Sequence, residues 1–274
     1  MGLFKKKTFK LRKDGKKKAL LVGINYTGTT SALRGCINDV SDVKKMLLSQ
    51  GYEEQNIRVM TDDTKEQPTK HRIMIGLLWL LDNKENKEVD LFFHYSGHGS
   101  WTVDRSGDEV DGRDEALCPL DYQRNGLIHD DVLKKFIQDR ITPKAKLYCL
   151  IDACHSGSIF DLRFNVTVDE IKKEGDAINA SFKVEAHTYD DIKGNICVLS
   201  GCEDSETSAD AYIGGRFQGA LTHSFLQALQ MNSYKVTYEK LMKDIYQVIK
   251  TGNYNQNPTM SSNRTVVFEN DFKL

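Results

Sequence analysis

A thiol and an imidazole, each at the end of a short apolar run, are the residues of this 274-residue chain whose types and spacing could do chemistry together. Residues 147–151 form an apolar run that stops at Asp152, Ala153, Cys154 and His155. It reads as a buried strand that delivers Cys154 to its C-terminal end. Residues 89–96 form a second such run, which stops at His98 between Gly97 and Gly99. In open α/β sheets the crevice lies beyond the carboxyl ends of parallel strands. Two such strands side by side would therefore bring His98 and Cys154 together across a sequence separation of 56 residues. A thiolate is the nucleophile, and a neighbouring imidazole raises its population and later protonates a leaving amine, so the pair predicts acyl transfer through a thioester. The backbone N–H groups of Gly99 and Cys154 are candidates for an oxyanion hole. No third member of a triad is visible.

Other readings of the same residues compete. Buried cysteines are commonly inert, which suits Cys149 and Cys197 inside their apolar runs. His98 alone could be a core histidine, but glycines on both sides let its backbone approach a ligand closely. Asp152 is two residues before Cys154, so on one strand face its carboxylate would lie near the thiol. A nearby negative charge raises a thiol's pKa, the wrong direction for reactivity, unless a substrate cation is expected there. The competing account has Asp152 accepting backbone hydrogen bonds at the turn and Asp39 capping or solvating a helix.

The elements that must position these groups alternate. Residues 18–26 predict a strand, 33–50 a helix with Val40, Val43, Leu47 and Leu48 at helical spacing, 57–60 a strand, 69–81 a helix and 89–96 a strand. That βαβαβ order is the pattern of a parallel sheet covered by helices. A long acidic loop holding Asp104, Asp108, Glu109, Asp111, Asp114 and Glu115 follows, then a helix over 130–138 and the strand that carries Cys154. Residues 161–193 show weak periodicity and mixed charge and read as an exposed insertion or linker. Order returns with a strand over 196–200, helices over 218–230 and 237–250, and a last strand over 265–268.

Composition fits this picture. A hydrophobic fraction of 39% with 28% charged residues and a net charge of −1 is ordinary for a globular protein. No apolar run approaches a membrane span and no signal peptide is visible, so an intracellular, cytoplasmic chain is expected. Six cysteines without a CxxC pair disfavour a zinc site and a disulfide scaffold. Residues 1–18 form a leader with nine Lys or Arg against the single Asp14. It reads as a solvated tail rather than a specific nucleic-acid or lipid contact. Gly2 would suit myristoylation, but Lys6 stands where Ser or Thr is needed.

Four segments in order, LRGCINDV (33–40), HYSGHG (94–99), DACHSG (152–157) and SGCEDSETSAD (200–210), resemble those of metacaspases, the caspase-like cysteine proteases. The His-to-Cys spacing and the small Ala153 before the Cys agree. The likeness runs from about residue 20 onward and is closest to the type I arrangement, without the long N-terminal prodomain. It implies a caspase-like three-layer α/β/α sandwich around a mostly parallel sheet. Residues 19–274 would be one catalytic domain, with a large-subunit-like part (19–160), a linker or insertion (161–194) and a small-subunit-like part (195–274). It further implies an endopeptidase, monomeric, that cleaves protein substrates after Arg or Lys. Asp39 and Asp152 would receive the basic side chain, with Cys36 and Ser96 lining the same pocket.

Calcium activation is implied too, with Asp114, Asp130, Asp131 and Asp161 as ligands. Carboxylate oxygens on loops suit a hard cation. An EF-hand over 104–115 fails, because Glu109 occupies the position that requires Gly. The basic residues Arg163, Lys172, Lys173, Lys183 and Lys193 in the expected linker suggest self-cleavage. A catalytically silent scaffold is the alternative from another class, and the presence of both His98 and Cys154 weighs against it. A cysteine phosphatase would need Arg six residues after the Cys, where Phe160 stands. A protease specific for Asp would need basic pocket residues, whereas the sequence near Cys154 offers carboxylates.

Overall fold

The computed structural model describes residues 17–103, 113–154, 160, 162–175, 177–187, 192–201, 211–254, 256–265 and 268–274. The leader up to residue 16, the acids Asp104, Asp108, Glu109 and Asp111, the candidate ligand Asp161, and residues 202–210 of the SGCEDSETSAD segment lie outside the described residues.

Strand β1 (Lys17–Gly23) is apolar on both faces: Leu20 and Val22 enter one core, Ala19 and Leu21 the other. A strand covered by helices on both sides requires this. Helix α1 (Cys36–Ser49) begins where Asn25 Oδ1 accepts the N–H groups of Cys36 at 3.0 Å and Ile37 at 3.4 Å, serving orphan donors from outside the helix. It gives way to Gly51 at a φ of +83°, a conformation that glycine adopts without strain. Strand β2 (Ile57–Thr61) runs parallel to β1, and α2 (Lys70–Leu81) is capped by Thr69. After β3 (Val89–Ser96), a small antiparallel sheet forms from β4 (Gly99–Val103), β5 (Arg113–Leu117) and, beyond the short α3 (Tyr122–Asn125), β6 (Ile128–His129).

Strand β6 leads directly into α4 (Asp130–Gln138), and β7 (Ala145–Asp152) follows. Next come a hairpin of β8 (Phe164–Glu174) and β9 (Ala177–Ala186), then β10 (Asn195–Ser200). A short pair, β11 (Ala211–Ile213) and β12 (Arg216–Gln218), precedes α5 (Ala220–Met231). The chain finishes with β13 (Val236–Thr237), α6 (Tyr238–Thr251), β14 (Thr259–Ser262) and β15 (Asp271–Phe272), the last paired with β13.

The main sheet has the order β2-β1-β3-β7-β10-β14-β8-β9. Its first five strands are parallel and its last three antiparallel. One face packs on α2 and α4 through Ile73, Leu77, Leu133 and Ile137. The other packs on α1, α5 and α6 through Val43, Leu47, Phe225 and Ile245. This is the expected three-layer α/β/α sandwich with a mostly parallel centre.

Two elements differ from the expectation. Of residues 265–268, expected as the last strand, 266 and 267 lie outside the described residues; the strand that follows β10 in the sheet is Thr259–Ser262. Its residues are hydroxyl-rich, and their polarity is absorbed internally, as in the 3.0 Å contact between Ser200 Oγ and Thr259 Oγ1. Residues 164–186, read as an exposed insertion, form the β8–β9 hairpin on the sheet edge, with Val166 and Ala180 buried in the α6-side core. A bulge between Val168 and Glu170 shifts the register, so the period-2 signal reverses partway along β8.

Candidate active site

The positions of His98 and Cys154 follow from strand register. Strands β3 and β7 are adjacent and parallel, with Ser96 opposite Asp152. Just beyond, the Gly97 N–H donates to the Asp152 carbonyl at 3.3 Å. Gly99 then passes so close to the carbonyl of Cys154 that any Cβ there would collide with it. Glycine is thus required by backbone contact between the two segments. Cys154 is half-buried and unbridged.

His98 is held from several sides. Its N–H donates to Tyr26 Oη at 3.0 Å, and its carbonyl accepts from Tyr95 Oη at 2.9 Å and from the Cys118 N–H at 3.1 Å. Tyr26 Oη donates to the Cys118 carbonyl at 2.6 Å, and the Tyr26 ring lies 4.7 Å from the imidazole, centroid to centroid. Burial pushes the phenols of Tyr26 and Tyr95 well above their ordinary pKa, so both remain donors. Imidazole Nε2 lies 2.8 Å from the Ser31 carbonyl. A carbonyl only accepts, so Nε2 carries the hydrogen and Nδ1 carries the lone pair that can take a proton. Ser31, the orienting partner absent from the sequence reading, contributes a backbone atom, for which residue type gives no signal.

The acidic residues gather on the α1 and α5 face of the sheet. Ser96 and Asp152 point to that face at the ends of β3 and β7. Ser96 Oγ donates to Asp39 Oδ2 at 2.7 Å from one turn inside α1. The Gly219 N–H donates to both Asp39 oxygens at 2.9 and 3.0 Å, and the Thr222 N–H donates to Asp152 Oδ2 at 2.8 Å. Both carboxylates therefore sit at the amino end of α5, where unsatisfied N–H groups and the helix dipole favour negative charge.

A Cβ on Gly219 would strike Asp152 Oδ2 and come within 2.8 Å of Asp39 Oδ2, so the two carboxylates face each other. Both are essentially fully buried, and Asp152 Oδ1 has no hydrogen-bond partner among the described residues. Burial first, then the charge of Asp152, holds the Asp39 pKa well above the carboxylate range. Burial also raises that of Asp152, opposed by the Thr222 N–H and by the side chains of Thr222 and Gln256. A buried carboxylate pair of this kind is chemically suited to a cation, which would compete with the protons that burial favours there. Cys36, one turn before Asp39, is buried and close enough to Tyr26 and Tyr95 to act on their phenols electrostatically.

Strand β7 ends at Asp152, and residues 153 and 154 bend away. The carboxylate of Asp152, the last residue of β7, reaches the amino end of α5.

Of the candidate calcium ligands, Asp130 is buried, its oxygens accepting from the N–H groups of Glu115 at 2.8 Å and Asp131 at 2.7 Å. This ties the start of α4 to β5, which carries Asp114, while Asp131 is exposed. Among the described residues no three His, Cys, Asp or Glu side chains converge as metal ligands. The oxygen donors are chemically suited to a hard cation, but Asp114, Asp130 and Asp131 do not by themselves complete a site.

Comparison with known proteins places this arrangement. Residues 17–163 match the family described as "Metacaspase, peptidase C14 domain". Metacaspase-1 of Lodderomyces elongisporus is 33% identical over 92% of this chain and 66% of its own length. Metacaspase-1 of Yarrowia lipolytica is 34% identical over 91% and 62%, and that of Schizosaccharomyces pombe is 34% identical over 90% and 67%. The chain thus spans about two thirds of the length of these relatives. Among solved structures, protein GSU0716 of Geobacter sulfurreducens superposes with a TM-score of 0.61 at 21% identity, covering 91% of this chain and 94% of that one. The Drosophila initiator caspase Dronc superposes at 0.53 and 10% identity, covering 94% and 82%. Those two likenesses bear on the fold alone, whereas the family match and the curated relatives carry the identity: this chain belongs to the metacaspases, a family of cysteine-type peptidases.

Proposed function

We propose that the protein is a cysteine endopeptidase that cleaves after Arg or Lys, with Cys154 as nucleophile and His98 as general base and acid. The Cys154 thiol passes its proton to His98 Nδ1, and Sγ attacks the substrate carbonyl carbon. The resulting oxyanion faces the backbone N–H groups of Gly99 and Cys154. Collapse breaks the C–N bond as His98 returns the proton to the leaving amine, and a thioester remains. Water, deprotonated by His98, then attacks the thioester, releasing the carboxylic acid and restoring the thiol.

The observation that carries the specificity is the buried, facing pair Asp39 and Asp152, with Oδ1 of Asp152 unpartnered among the described residues. Buried carboxylates left without a counter-charge are costly, and a substrate guanidinium or ammonium relieves that cost. A matched set of fluorogenic peptides ending in Arg, Lys, Asp or Asn tests the reading. Cleavage of the Arg and Lys peptides alone, lost in Cys154→Ala, is the expected result; preference for Asp would sink it.

Calcium dependence belongs to the same proposal. Asp114, Asp130, Asp131 and Asp161 would hold the ion, which would supply fixed positive charge to order the segment after His98. The family likeness supports this, as does the tie between Asp130 and β5. Equal cleavage in calcium and in chelator would remove it. Self-processing is proposed at Arg163 or Lys193, which lie outside the β8–β9 ladder, rather than at Lys172, Lys173 or Lys183 within it. N-terminal sequencing of fragments from wild type, with Cys154→Ala as the intact control, decides the point.

A further inference from the structure

Nine buried side-chain N and O atoms lack a hydrogen-bond partner among the described residues, and four of them gather at one place. These are Asp152 Oδ1, Thr222 Oγ1 and both polar atoms of Gln256. Buried polar atoms are nearly always paired, so an orphaned cluster marks the position of an unbound partner.

Gln256 lies between α6 and β14 with its side chain over Gly201, one residue past the end of β10; a Cβ on Gly201 would sit 3.4 Å from Gln256 Nε2. It is therefore at the same end of the parallel strands as Asp152. It is 4% exposed. Both Gln256 and Thr222 are near enough to Asp152 to hold its pKa down, yet neither side chain has hydrogen-bond geometry to it. The missing partner must offer several N–H donors and carry positive charge, because the free acceptors include a carboxylate facing a second carboxylate. An ammonium presents three donors from one point, whereas a guanidinium presents five in a planar fork. Acceptors spread over Asp39, Asp152 and Gln256 suit the fork.

We propose that Gln256, assisted by Thr222, is a specificity-determining residue that makes the Asp39–Asp152 recess prefer Arg to Lys, its Oε1 accepting from the guanidinium and its Nε2 bracing Asp152. This rests on the reading of the recess as a basic-residue pocket.

The test compares kcat/KM for two peptides that differ only in Arg or Lys at the cleaved position. Wild type is expected to favour Arg. Gln256→Leu is expected to lower kcat/KM for the Arg peptide about tenfold more than for the Lys peptide, mainly through KM, as loss of one hydrogen bond to a charged group does. Gln256→Glu, which keeps an acceptor of the same shape, should retain the Arg preference, and Thr222→Val should reduce it less than Gln256→Leu does. Thermal melting of each variant identifies any loss due to misfolding, and the Arg-to-Lys ratio is independent of the active fraction. A ratio unmoved by Gln256→Leu in an active enzyme overturns this inference alone. A wild type that cleaves neither peptide overturns the pocket reading with it.

Discussion

Asp152 carries a cost in stability that its proposed role in substrate binding would explain. Its carboxylate is buried opposite Asp39 and its pKa is raised, so the folded protein holds protons there that the unfolded chain releases at about pH 4. The sign follows: this pair contributes stability that is full below the unfolded pKa and is lost as pH rises through the raised folded values. Asp152→Asn should therefore keep or raise Tm at neutral pH and flatten its fall with rising pH, since an amide Oδ1 can still accept from the Thr222 N–H. The same change should lower kcat/KM on an Arg peptide by about a hundredfold or more, the scale for removing one member of a buried charge pair. A bound cation competes with protons at carboxylates whose pKa is raised, so KM for the Arg peptide should fall as pH rises from mildly acidic toward neutral. A KM that is flat with pH, or an Asn variant that cleaves normally, would contradict the role assigned to the pair.

The loop between β1 and α1 is the element that organises the imidazole. Asn25 caps α1, Ser31 orients Nε2 of His98 through its carbonyl, and Tyr26 supports both the ring and the backbone of His98. Tyr26 adopts a φ of +48°, uncommon for a residue with a Cβ and characteristic of sites where surrounding contacts hold the backbone in place. Tyr26→Phe keeps the ring contact and removes the hydroxyl, leaving the His98 N–H without this acceptor. The expected cost is about 1–3 kcal/mol of stability, the price of an unsatisfied buried donor. A loosened imidazole should also lower kcat about tenfold with little change in KM. Chemical denaturation and steady-state kinetics on one preparation check both; loss of stability with unaltered kcat would reduce Tyr26 to a packing residue. None of this was visible beforehand, because the loop works mainly through backbone atoms and a tyrosine remote from His98 in sequence. The strand ends themselves were legible: apolar runs 89–96 and 147–151 announced β3 and β7, and their abrupt stops announced His98 and Cys154.

At the scale of the molecule, the β8–β9 hairpin decides how the sheet ends. Strand β14 is paired on both sides, by β10 and β8, so its edge is unavailable to a second copy. The outer edge on this side of the sheet is β9, which carries exposed Lys183 and Glu185 joined by an ion pair, and edge charges of this kind discourage strand addition. The intact protein is expected to be monomeric by light scattering. Replacing the hairpin by a short linker uncovers β14 together with apolar surface on α6 now covered by Val166, Ala180 and Phe182, and should drive association. A stable dimer of the intact chain, or a monomeric and well-folded deletion variant, would refute this.

Local pattern by itself determined the alternation of strands and helices, the strand ends that hold the thiol and imidazole, and the acidic residues worth watching, because hydrophobic period and abrupt turns are properties of neighbouring residues. Tertiary structure alone decided the rest. Asp152 meets the amino end of α5 through the Thr222 N–H, although α5 begins 68 residues after Asp152. Ser31 serves His98 through a carbonyl that every residue possesses. Strand β14 forms from hydroxyl residues because its neighbours satisfy them, and the hairpin forms across a bulge that conceals its period. In each case the deciding energy comes from groups brought together only after the chain has folded, so no window of sequence contains it.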